Sequence, residues 1–500
     1  MNSFFNLVDE DWIPCIVNGR RKELSLKEAL IRSHNIREIH DSSPLVSISL
    51  FKLLLTLIYR IFSFEYRKDW EENWEILWEK RKFNQKKIDE YFRNWKHRFF
   101  LFDQERPFYQ YPKNNFEKLQ KKSVSRLAID FSSGQNPTLF DHTTDDLMLE
   151  LKPSEAARLL ISQQSYALQE GRGYSNGPLS KGIIVLAVGD NLFETLLLNY
   201  CHPDFDRNLA GSPIWEKEEL SDPSLNKKRL YPENYMEYLT WQSRKILLIP
   251  KKNNHDVCIS EIYYLAGFFI NGDWKKDPLK SYKKNDKGKF DAKLDENRAI
   301  WRDSHGMFEI SNPSRPESFT LLSHMINKGA LEKERLYNLN IFGICAVNAK
   351  VFFWRHERLP LPLSLLTEEK FVRRLKGALK SAEKVGEILR ASVSILADEL
   401  KLGKDEKQKL RKKISIDRQY WSELAIQFKS FVIKLAENEE AAVQEWIASV
   451  RSNAVISFKN KMDNLGTTAR ILKAVNSPKV TGYFYGAMKK ELEGFEILSS

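Results

Sequence analysis

The stretch QEGRGYSNGP, residues 169–178, holds three glycines within seven residues. Glycine clusters of this kind often let a backbone approach a phosphate closely. The spacing excludes both common nucleotide motifs, because Pro178 follows Gly177 where a Walker A loop needs lysine, and Asn176 stands where GxGxxG needs its last glycine. The preceding residues also predict a helix, whereas both motifs follow a strand. We therefore expect neither ATPase nor dehydrogenase chemistry at this loop.

Two interpretations of the loop remain open from its residues alone. It is an ordinary glycine-rich connection, or it is a loop that lies in a nucleic-acid groove. In the second interpretation small residues avoid clashes, and side chains such as Ser175 and Asn176 offer hydrogen bonds. Composition alone favours the ordinary connection.

A second polar stretch, residues 129–146, places Asp141 beside His142. These groups could serve a metal-dependent nuclease or hydrolase. Adjacent residues seldom converge on one ion, however, and we favour a turn because Asp, Asn, Ser and Thr are frequent turn formers. The four cysteines form no CxxC pair, and no stretch pairs a nucleophile with a base. We expect a protein that is not an enzyme and that holds no cofactor or metal.

Residues 273–293 are densely basic, and aromatic residues such as Tyr282 and Phe290 lie between the lysines. The lysines of this run include Lys275, Lys276, Lys280, Lys283, Lys284, Lys287 and Lys289. The alternatives are contact with phosphates and a solvated hairpin tip. The chain's formal net charge of +12 suggests a polyanionic partner, so we favour phosphate contact and a nucleic acid.

Local signals predict the elements that position these residues. Asn18-Gly19 is typical of a hairpin turn, and residues 244–250 and 261–270 resemble interior strands. Residues 343–360 predict another hairpin, with the polar tip Asn348-Ala349-Lys350. Its basic flank is Arg355, His356 and Arg358, and a lone histidine of this kind is more often structural than catalytic.

Helices are expected over residues 43–64 and 70–99. The first is strongly apolar, but Lys52 and Arg60 interrupt it. We therefore favour a buried helix over a membrane span. The first residues lack the basic and apolar regions of a signal peptide, and scattered cysteines fit a reducing compartment, so we expect a cytoplasmic protein.

The character of the chain changes near residues 359–370. Beyond this point apolar residues recur at steps of three and four from Val372 to Leu400, which predicts one long amphipathic helix. Further helices are expected over residues 416–435, 438–462 and 468–494. The sequence therefore predicts an α+β protein: a large mixed α/β N-terminal globular domain over residues 1–364, followed by a C-terminal four-helix bundle over residues 365–500.

Several short segments follow one another along the chain: DEDWIPCIVNG (9–19), TLFDHTTDD, GRGYSNGPL, PIWEKE (213–218), FFINGDW (268–274) and VNAKVFFWRHERLP. Taken in order, they resemble the CasA-type large subunits of Cascade, the type I-E CRISPR surveillance complex. The resemblance covers nearly the whole chain, and the helical C-terminal third also fits it.

The resemblance implies a non-catalytic role in RNA-guided antiviral defence. Large subunits of this family recognise the protospacer-adjacent motif in double-stranded DNA and contact the 5′ end of the guide RNA. They promote R-loop formation, and they help recruit the helicase-nuclease that degrades the target. The implied partners are therefore the guide RNA, the target DNA, the other Cascade subunits and the helicase-nuclease, with no membrane.

The resemblance also assigns residues by motif. The implied site residues are the glycine loop Gly171, Arg172, Gly173 and Tyr174; the wedge Val347, Asn348 and Ala349; the lysine-finger candidates Lys283, Lys284 and Lys287; and the guide-RNA loop Phe131, Ser132, Ser133 and Gly134. Some relatives carry a zinc-binding cysteine cluster before FFINGDW. Only Cys258 remains here, so we expect no zinc.

Two other functions remain open from the residues. One is a metal-dependent nuclease or hydrolase that uses the Asp141-His142 region. The other is a helical protein–protein scaffold, in which the C-terminal bundle only holds partners.

Overall fold

The computed structural model describes residues 3–62, 67–116, 119–129, 149–201, 211–218, 232, 234–253, 256–270, 277–286, 288–347 and 350–499. The chain forms two compact units. The first unit is Met1–Arg298, Pro313–Leu322 and Asn338–Arg358, and the second is Ala299–Asn312, Ser323–Tyr337 and Leu359–Ser500. The sequence-based division after residue 364 differs from this, because the chain passes between the units more than once before residue 359.

Antiparallel strand pairs build the sheets of the described residues. The strands are β1 (Phe4–Asn6), β2 (Ile13–Val17), β3 (Arg20–Leu24), β4 (Glu38–Ile39), β5 (Phe100–Phe102), β6 (Lys122–Ser123), β7 (Ile183–Val188), β8 (Arg244–Asn253), β9 (Asp256–Ala266), β10 (Lys280–Asn285), β11 (Gly288–Asp291), β12 (Leu336–Val347) and β13 (Lys350–Pro362). The sheet orders are β1-β5, β3-β2-β4, β6-β9-β8 and β11-β10-β7-β12-β13.

The five-stranded sheet is the part of the fold that organises the candidate site. Ile183 of β7 opposes Ser281 of β10 on one side and Gly343 of β12 on the other. Beyond this point β10 continues over residues 282–285 and β12 over residues 344–347. Each neighbour therefore extends past the start of β7 by roughly 13 Å, since a strand rises about 3.3 Å per residue. The ends of β10 and β12 lie at the same end of the sheet.

The helices before the C-terminal region are mostly short. They are α1 (Leu26–Ile31), α2 (Pro44–Ile61), α3 (Arg67–Lys80), α4 (Gln85–Trp95), α5 (Pro153–Tyr166), α6 (Leu192–Leu198), α7 (Tyr235–Leu239), α8 (His305–Phe308) and α9 (Glu317–Asn327). The single helix predicted over residues 70–99 is wrong. Helix α3 ends at Lys80, and Arg81 then adopts φ +54°. Helix α4 begins after Asn84, whose side chain accepts a hydrogen bond from the Lys86 amide at 3.0 Å.

Helix α2 confirms the prediction of a buried helix. It is long and apolar enough to cross a membrane, but 78% of its residues are buried within the structure. At its middle the Lys52 ammonium donates to both carboxylate oxygens of Asp277 at 2.9 Å and to the Tyr235 hydroxyl at 3.2 Å. This buried ion pair connects α2 to the segment before β10, as expected of a core helix in a folded unit.

The predicted hairpin at Asn18-Gly19 joins β2 to β3. Both turn residues have positive φ, +49° and +72°, which the residue types tolerate. The Ser25 hydroxyl then accepts a hydrogen bond from the Glu28 amide at 3.2 Å and caps α1. The hairpin confirms the turn that the sequence predicts at Asn18-Gly19.

The second unit consists mainly of helices, and the mixed first unit and helical C-terminal region confirm the α+β class. Its main helices are α10 (Glu369–Glu399), α11 (Lys404–Ile414), α12 (Ile416–Glu437), α13 (Glu439–Asp463), α14 (Ala469–Val475) and α15 (Pro478–Ser499). Apolar residues of α10 from Val372 to Leu400 are buried, as their spacing predicts. The single helix predicted over residues 468–494 is wrong, because Pro478 starts a new helix there.

Candidate nucleic-acid interface

The glycine loop, residues 171–174, follows α5 and four further residues. Its turn is closed by a hydrogen bond from the Tyr174 amide to the Gly171 carbonyl at 3.3 Å. Gly171 and Gly173 have φ values of +134° and +92°, which residues with a side chain rarely adopt. A Cβ atom at either glycine would meet no atom within 4 Å. The turn therefore presents an open strip of backbone, with Arg172 exposed at its centre.

Gly177, the third glycine of the stretch, has a different role. A Cβ atom there would lie 2.5 Å from the Ser165 carbonyl oxygen and 2.8 Å from the Ala167 nitrogen. The Gly177 amide also donates to the Ala167 carbonyl at 2.7 Å, which brings the exit of the loop back against the end of α5. Gly177 is thus required for packing, whereas Gly171 and Gly173 are required for the turn.

One buried guanidinium joins the two ends of the loop. Arg244, the first residue of β8, is fully buried and donates to the Ser175 carbonyl at 2.8 Å and to the Leu168 carbonyl. Its Nε donates to the Tyr264 hydroxyl at 2.9 Å, and its Cζ lies 5.0 Å from the centre of the Tyr174 ring. Leu168 precedes the turn and Ser175 follows it, so Arg244 holds the loop closed from behind.

Charges beneath the loop are paired with one another. The Glu170 carboxylate accepts from the Tyr264 hydroxyl at 2.7 Å and forms an ion pair with Arg126. Its Oε1 also lies 3.8 Å from the Arg244 guanidinium. Burial raises the pKa of Tyr264, which keeps its hydroxyl protonated at neutral pH. This cluster of Glu170, Arg126, Arg244 and Tyr264 gives the loop a rigid base.

The lysine hairpin, β10 to β11, places its lysines in two different environments. Lys283 and Lys284 are exposed near its tip, opposite Phe290 and Lys289. Lys287 lies outside the described residues. Lys280, at the start of β10, is only 5% exposed, and its ammonium donates to the Pro178 carbonyl at 2.7 Å. Lys280 therefore holds the exit of the glycine loop against the hairpin and is not available to an external phosphate.

The second hairpin, β12 to β13, carries the predicted wedge at its tip. Val347 is the last residue of β12, while Asn348 and Ala349 lie outside the described residues. The base of the hairpin is firmly held. Arg355 of β13 donates to the Asp295 carbonyl at 2.9 Å and to the Glu296 carbonyl at 3.0 Å.

The rest of the predicted basic flank is also engaged. The His356 ring stacks on Phe342 with a centroid distance of 4.4 Å and an angle of 8°. Burial, with the nearby Arg358 charge, lowers the pKa of His356 below its ordinary value of 6.5, so the ring is neutral at pH 7. Arg358 pairs with Glu38 at 2.7 Å. These contacts confirm the structural interpretation of His356.

The topology brings the three sequence-predicted elements together. The lysine hairpin and the wedge hairpin extend from the same end of the sheet, on either side of β7. The chain enters β7 from the glycine loop through Lys181 and Gly182. Lys181 is exposed at this entrance, between the two hairpins, although sequence reasoning gave it no role. The loop exit, the exposed lysines and the base of the wedge hairpin therefore lie at one end of the five-stranded sheet.

The guide-RNA loop Phe131–Gly134 and the Asp141-His142 pair both lie outside the described residues. Within the parts of the chain that the structure describes, no three His, Cys, Asp or Glu side chains group as metal ligands. Cys258 is half-buried, and burial with the nearby Glu150 raises its thiol pKa, which disfavours the thiolate that zinc needs.

The family model described as CRISPR-associated protein Cse1 matches residues 6–455. The chain belongs to the Cse1 family. The CRISPR-associated protein CasA/Cse1 of Thermus thermophilus is 32% identical over 496 residues, which is 94% of this chain and 95% of the relative. The suspected resemblance to the CasA-type large subunits is thereby confirmed.

Solved structures of Cse1 proteins have the same fold. The crystal structure of Thermus thermophilus CasA superposes with a TM-score of 0.81 at 27% identity, covering 97% of this chain and 99% of that one. A chain from a structure described as a CRISPR RNA-guided surveillance complex superposes with a TM-score of 0.75 at 21% identity, covering 96% and 99%. At 21% identity, the similarity to this second structure establishes only that the two chains share a fold.

The Cse1 family motifs led to the loop and the hairpins, but not to the residues that hold them. Arg244 is separated from Ser175 by 69 residues and from Leu168 by 76 residues. The only local signal was an arginine at the head of the apolar run RKILLIP, where a charge without a partner would be costly. A search for charged residues inside predicted core strands would have found it.

Proposed function

We propose that this chain is the large subunit of a CRISPR RNA-guided surveillance complex, and that it recognises a short protospacer-adjacent motif in double-stranded DNA. Membership of the Cse1 family supports the first part, together with the likeness to a chain from such a complex. The observation that carries the second part is the position of the glycine loop, the lysine hairpin and the wedge hairpin around one end of the five-stranded sheet.

The glycine loop supplies the close approach. Open backbone at Gly171 and Gly173 can enter a narrow groove, where a side chain would keep the protein away from the base edges. The minor groove mainly separates A·T from G·C pairs. A backbone probe should therefore accept several related motifs, and pairing with the guide RNA then supplies the sequence specificity. The Arg244 contacts let the loop bind without first being ordered.

The lysines supply attraction to phosphates. Lys283 and Lys284 project from one side of the site, and Lys181 lies between the two hairpins. Each lysine that neutralises a phosphate releases a counterion, so this contribution depends on salt and not on base sequence. Lys287 belongs to the same proposed finger.

The wedge hairpin supplies strand separation. Val347, Asn348 and Ala349 would insert beneath the first base pair next to the motif. Such insertion costs a few kcal/mol of unstacking, which new contacts must offset. The base of the hairpin suits this task, because Arg355 anchors it through several carbonyl groups.

The remaining roles concern assembly. Residues 131–134 would contact the 5′ end of the guide RNA, and other surfaces would hold the neighbouring Cascade subunits and recruit the helicase-nuclease. The chain itself would be non-catalytic and cytoplasmic. An intact DNA strand after incubation of the purified chain with divalent metal supports this role. Cleavage that is lost in His142→Ala would instead establish the nuclease alternative.

The decisive experiment begins with co-purification of the chain with the guide-RNA complex. The assembled complex is then titrated with two guide-matched duplexes, one with and one without the motif. We expect the motif-bearing duplex to bind more tightly; equal affinities would exclude motif recognition. Changing Asn348 and Ala349 to glutamate should block R-loop formation and leave assembly intact. Normal R-loops in that variant would remove the wedge assignment.

A further inference from the structure

Strand β13 carries two exposed aromatic side chains that the proposed roles leave unused. Phe352 is 45% exposed and Trp354 is 40% exposed. Among the exposed large hydrophobic side chains of the described residues, they are the only phenylalanine and tryptophan. They are two residues apart on one strand, so both point to the same face of the sheet. An exposed aromatic pair of this kind indicates a binding surface.

The pair is part of a longer row on that face. Alternation places His356 and Arg358 after Trp354 on the same side of β13. His356 is stacked on Phe342, and the Arg358 side chain is 51% exposed. Because His356 is stacked on Phe342 and Arg358 is paired with Glu38, the part of this row that can stack on unpaired bases is the exposed pair Phe352 and Trp354.

The opposite face of the same strand is fixed in place. Arg355 donates to the carbonyl groups of residues 295 and 296, and its guanidinium lies 5.4 Å from the centre of the Phe353 ring. β13 is also hydrogen-bonded to β12 along one edge. Along its other edge, no further strand pairs with it in the described part of the sheet. Phe352 and Trp354 thus stand on a strand whose position is set.

Spacing and charge indicate the kind of ligand. Two residues along a strand span roughly 6.6 Å, about twice the thickness of one base. Between Gly343 and His356 the sequence contains no acidic residue, so an incoming phosphate meets no carboxylate from this part of the hairpin. The row also begins within a few residues of the hairpin tip, where the proposed wedge would release unpaired bases.

We propose that Phe352 and Trp354 form a stacking platform for the bases of a single DNA strand released at the tip of the wedge hairpin. This inference rests on the proposed function. The platform would slow re-pairing of the strands, because stacking on the aromatic rings replaces part of the stacking that is lost in the duplex.

The test uses the purified full chain and a short fluorescein-labelled oligo-dT strand at low salt, with fluorescence anisotropy as the readout. Replacing both residues by alanine should weaken oligo-dT binding by about tenfold or more, since each stacked base contributes substantially. Binding to a fully paired duplex of equal length should not change. Tyr483→Ala, which removes a 39% exposed aromatic side chain from α15, is the matched control and should bind oligo-dT normally.

Two further variants separate stacking from simple apolar contact. Phe352→Tyr with Trp354→Phe should retain oligo-dT binding, whereas Phe352→Leu with Trp354→Leu should lose it. Wild-type affinity in the alanine or leucine variants would overturn the proposal, as would an absence of oligo-dT binding by the wild-type chain. Loss of complex assembly in those variants without loss of oligo-dT binding would also overturn it, because the row would then hold a protein partner.

The proposed function can fail or stand independently of this result. Motif-dependent duplex binding by the wild-type complex supports the proposed function even if oligo-dT binding is insensitive to Phe352 and Trp354. If the alanine variant does not fold, the tyrosine and leucine variants still decide the outcome, since they conserve much of the side-chain volume.

Discussion

The glycine loop and the lysine hairpin are joined where Lys280 donates to the Pro178 carbonyl, but their own residues are held in opposite ways. The loop is closed from behind by Arg244 and rests on a cluster of paired charges. The tip of the hairpin presents Lys283 and Lys284 to solvent. The loop is therefore held in one shape by its own contacts, whereas the hairpin carries exposed charge on a short two-stranded ribbon.

This difference suggests that the two elements have separate roles, discrimination between base pairs and general attraction to phosphates. A fixed backbone can discriminate between base pairs, because a small change in groove shape produces a clash or a lost contact. Flexible ammonium groups attract any phosphate and therefore raise affinity for all duplexes alike. Substitutions in the two regions should consequently have different effects on stability, affinity and selectivity.

The largest effect on stability is expected from Arg244→Met. The change removes the donors for the Leu168 and Ser175 carbonyl groups and leaves buried acceptors without partners. We expect a loss of about 3 kcal/mol or more in the free energy of unfolding. Urea denaturation measures it. Arg172→Met removes an exposed arginine from the same loop and should change stability by less than about 0.5 kcal/mol. Equal losses in both variants would contradict the anchoring role of Arg244.

The next effect distinguishes the glycines. Gly177→Ala forces a methyl group against the Ser165 carbonyl oxygen, so we expect a loss of about 2 kcal/mol. In Gly173→Ala the new methyl group would contact no atom, so the free energy of unfolding should fall by about 1 kcal/mol, because of the positive φ alone. For binding of the motif-bearing duplex the order should reverse, and Gly173→Ala should weaken affinity more than Gly177→Ala does. Thermal denaturation and duplex titration of both variants decide whether packing and recognition are separate.

A smaller effect is expected at Lys280, which joins the two regions. Burial raises the pKa of Asp277, but Lys52 and Lys280 outweigh this and hold it below its ordinary value of 3.8. A depressed carboxyl pKa contributes stability above pH 3.8 that is lost as pH falls through the folded value. Lys280→Met should cost about 1.5 kcal/mol at neutral pH and move acid unfolding to higher pH. Circular dichroism against pH tests this, with Lys283→Met as the unaffected control.

The smallest effect on stability belongs to the hairpin tip. Lys283→Gln with Lys284→Gln should change unfolding by less than about 0.5 kcal/mol. The same variant should weaken binding to every duplex, and its log–log salt slope should fall by about 2. Lys409→Gln with Lys412→Gln makes the same charge change on α11 and is the matched control. An unchanged slope in the hairpin variant would remove these lysines from the interface.

Elements with local signals could be predicted from the sequence. Asn18-Gly19 supplies the φ values of its turn, Pro44 starts α2, and the spacing from Val372 to Leu400 buries one face of α10. Asn84 and Pro478 are also local signals, and each begins a new helix inside a range that was predicted as one helix. These errors concern boundaries and leave the class of fold unchanged.

The support of the candidate site could not be predicted in the same way. Lys280 and Lys283 belong to one basic run, yet the first is buried against Pro178 and the second is exposed. Arg244 reaches residues that are far away in sequence. Burial and pairing of such charges are set by tertiary packing, which local composition does not encode. Family motifs located the site, but only the fold shows what keeps its loop in shape.

If the glycine loop selects the motif while the lysines supply general affinity, substitutions in the two elements should change preference and affinity separately. The most direct measurement titrates the assembled complex, with wild-type or variant large subunit, against guide-matched duplexes randomised at the adjacent bases. We expect Gly173→Ala to flatten the preference among adjacent sequences, whereas the Lys283 and Lys284 variant should lower affinity for all of them and keep the preference. An unchanged preference in Gly173→Ala, or a preference lost only in the lysine variant, would contradict this expectation.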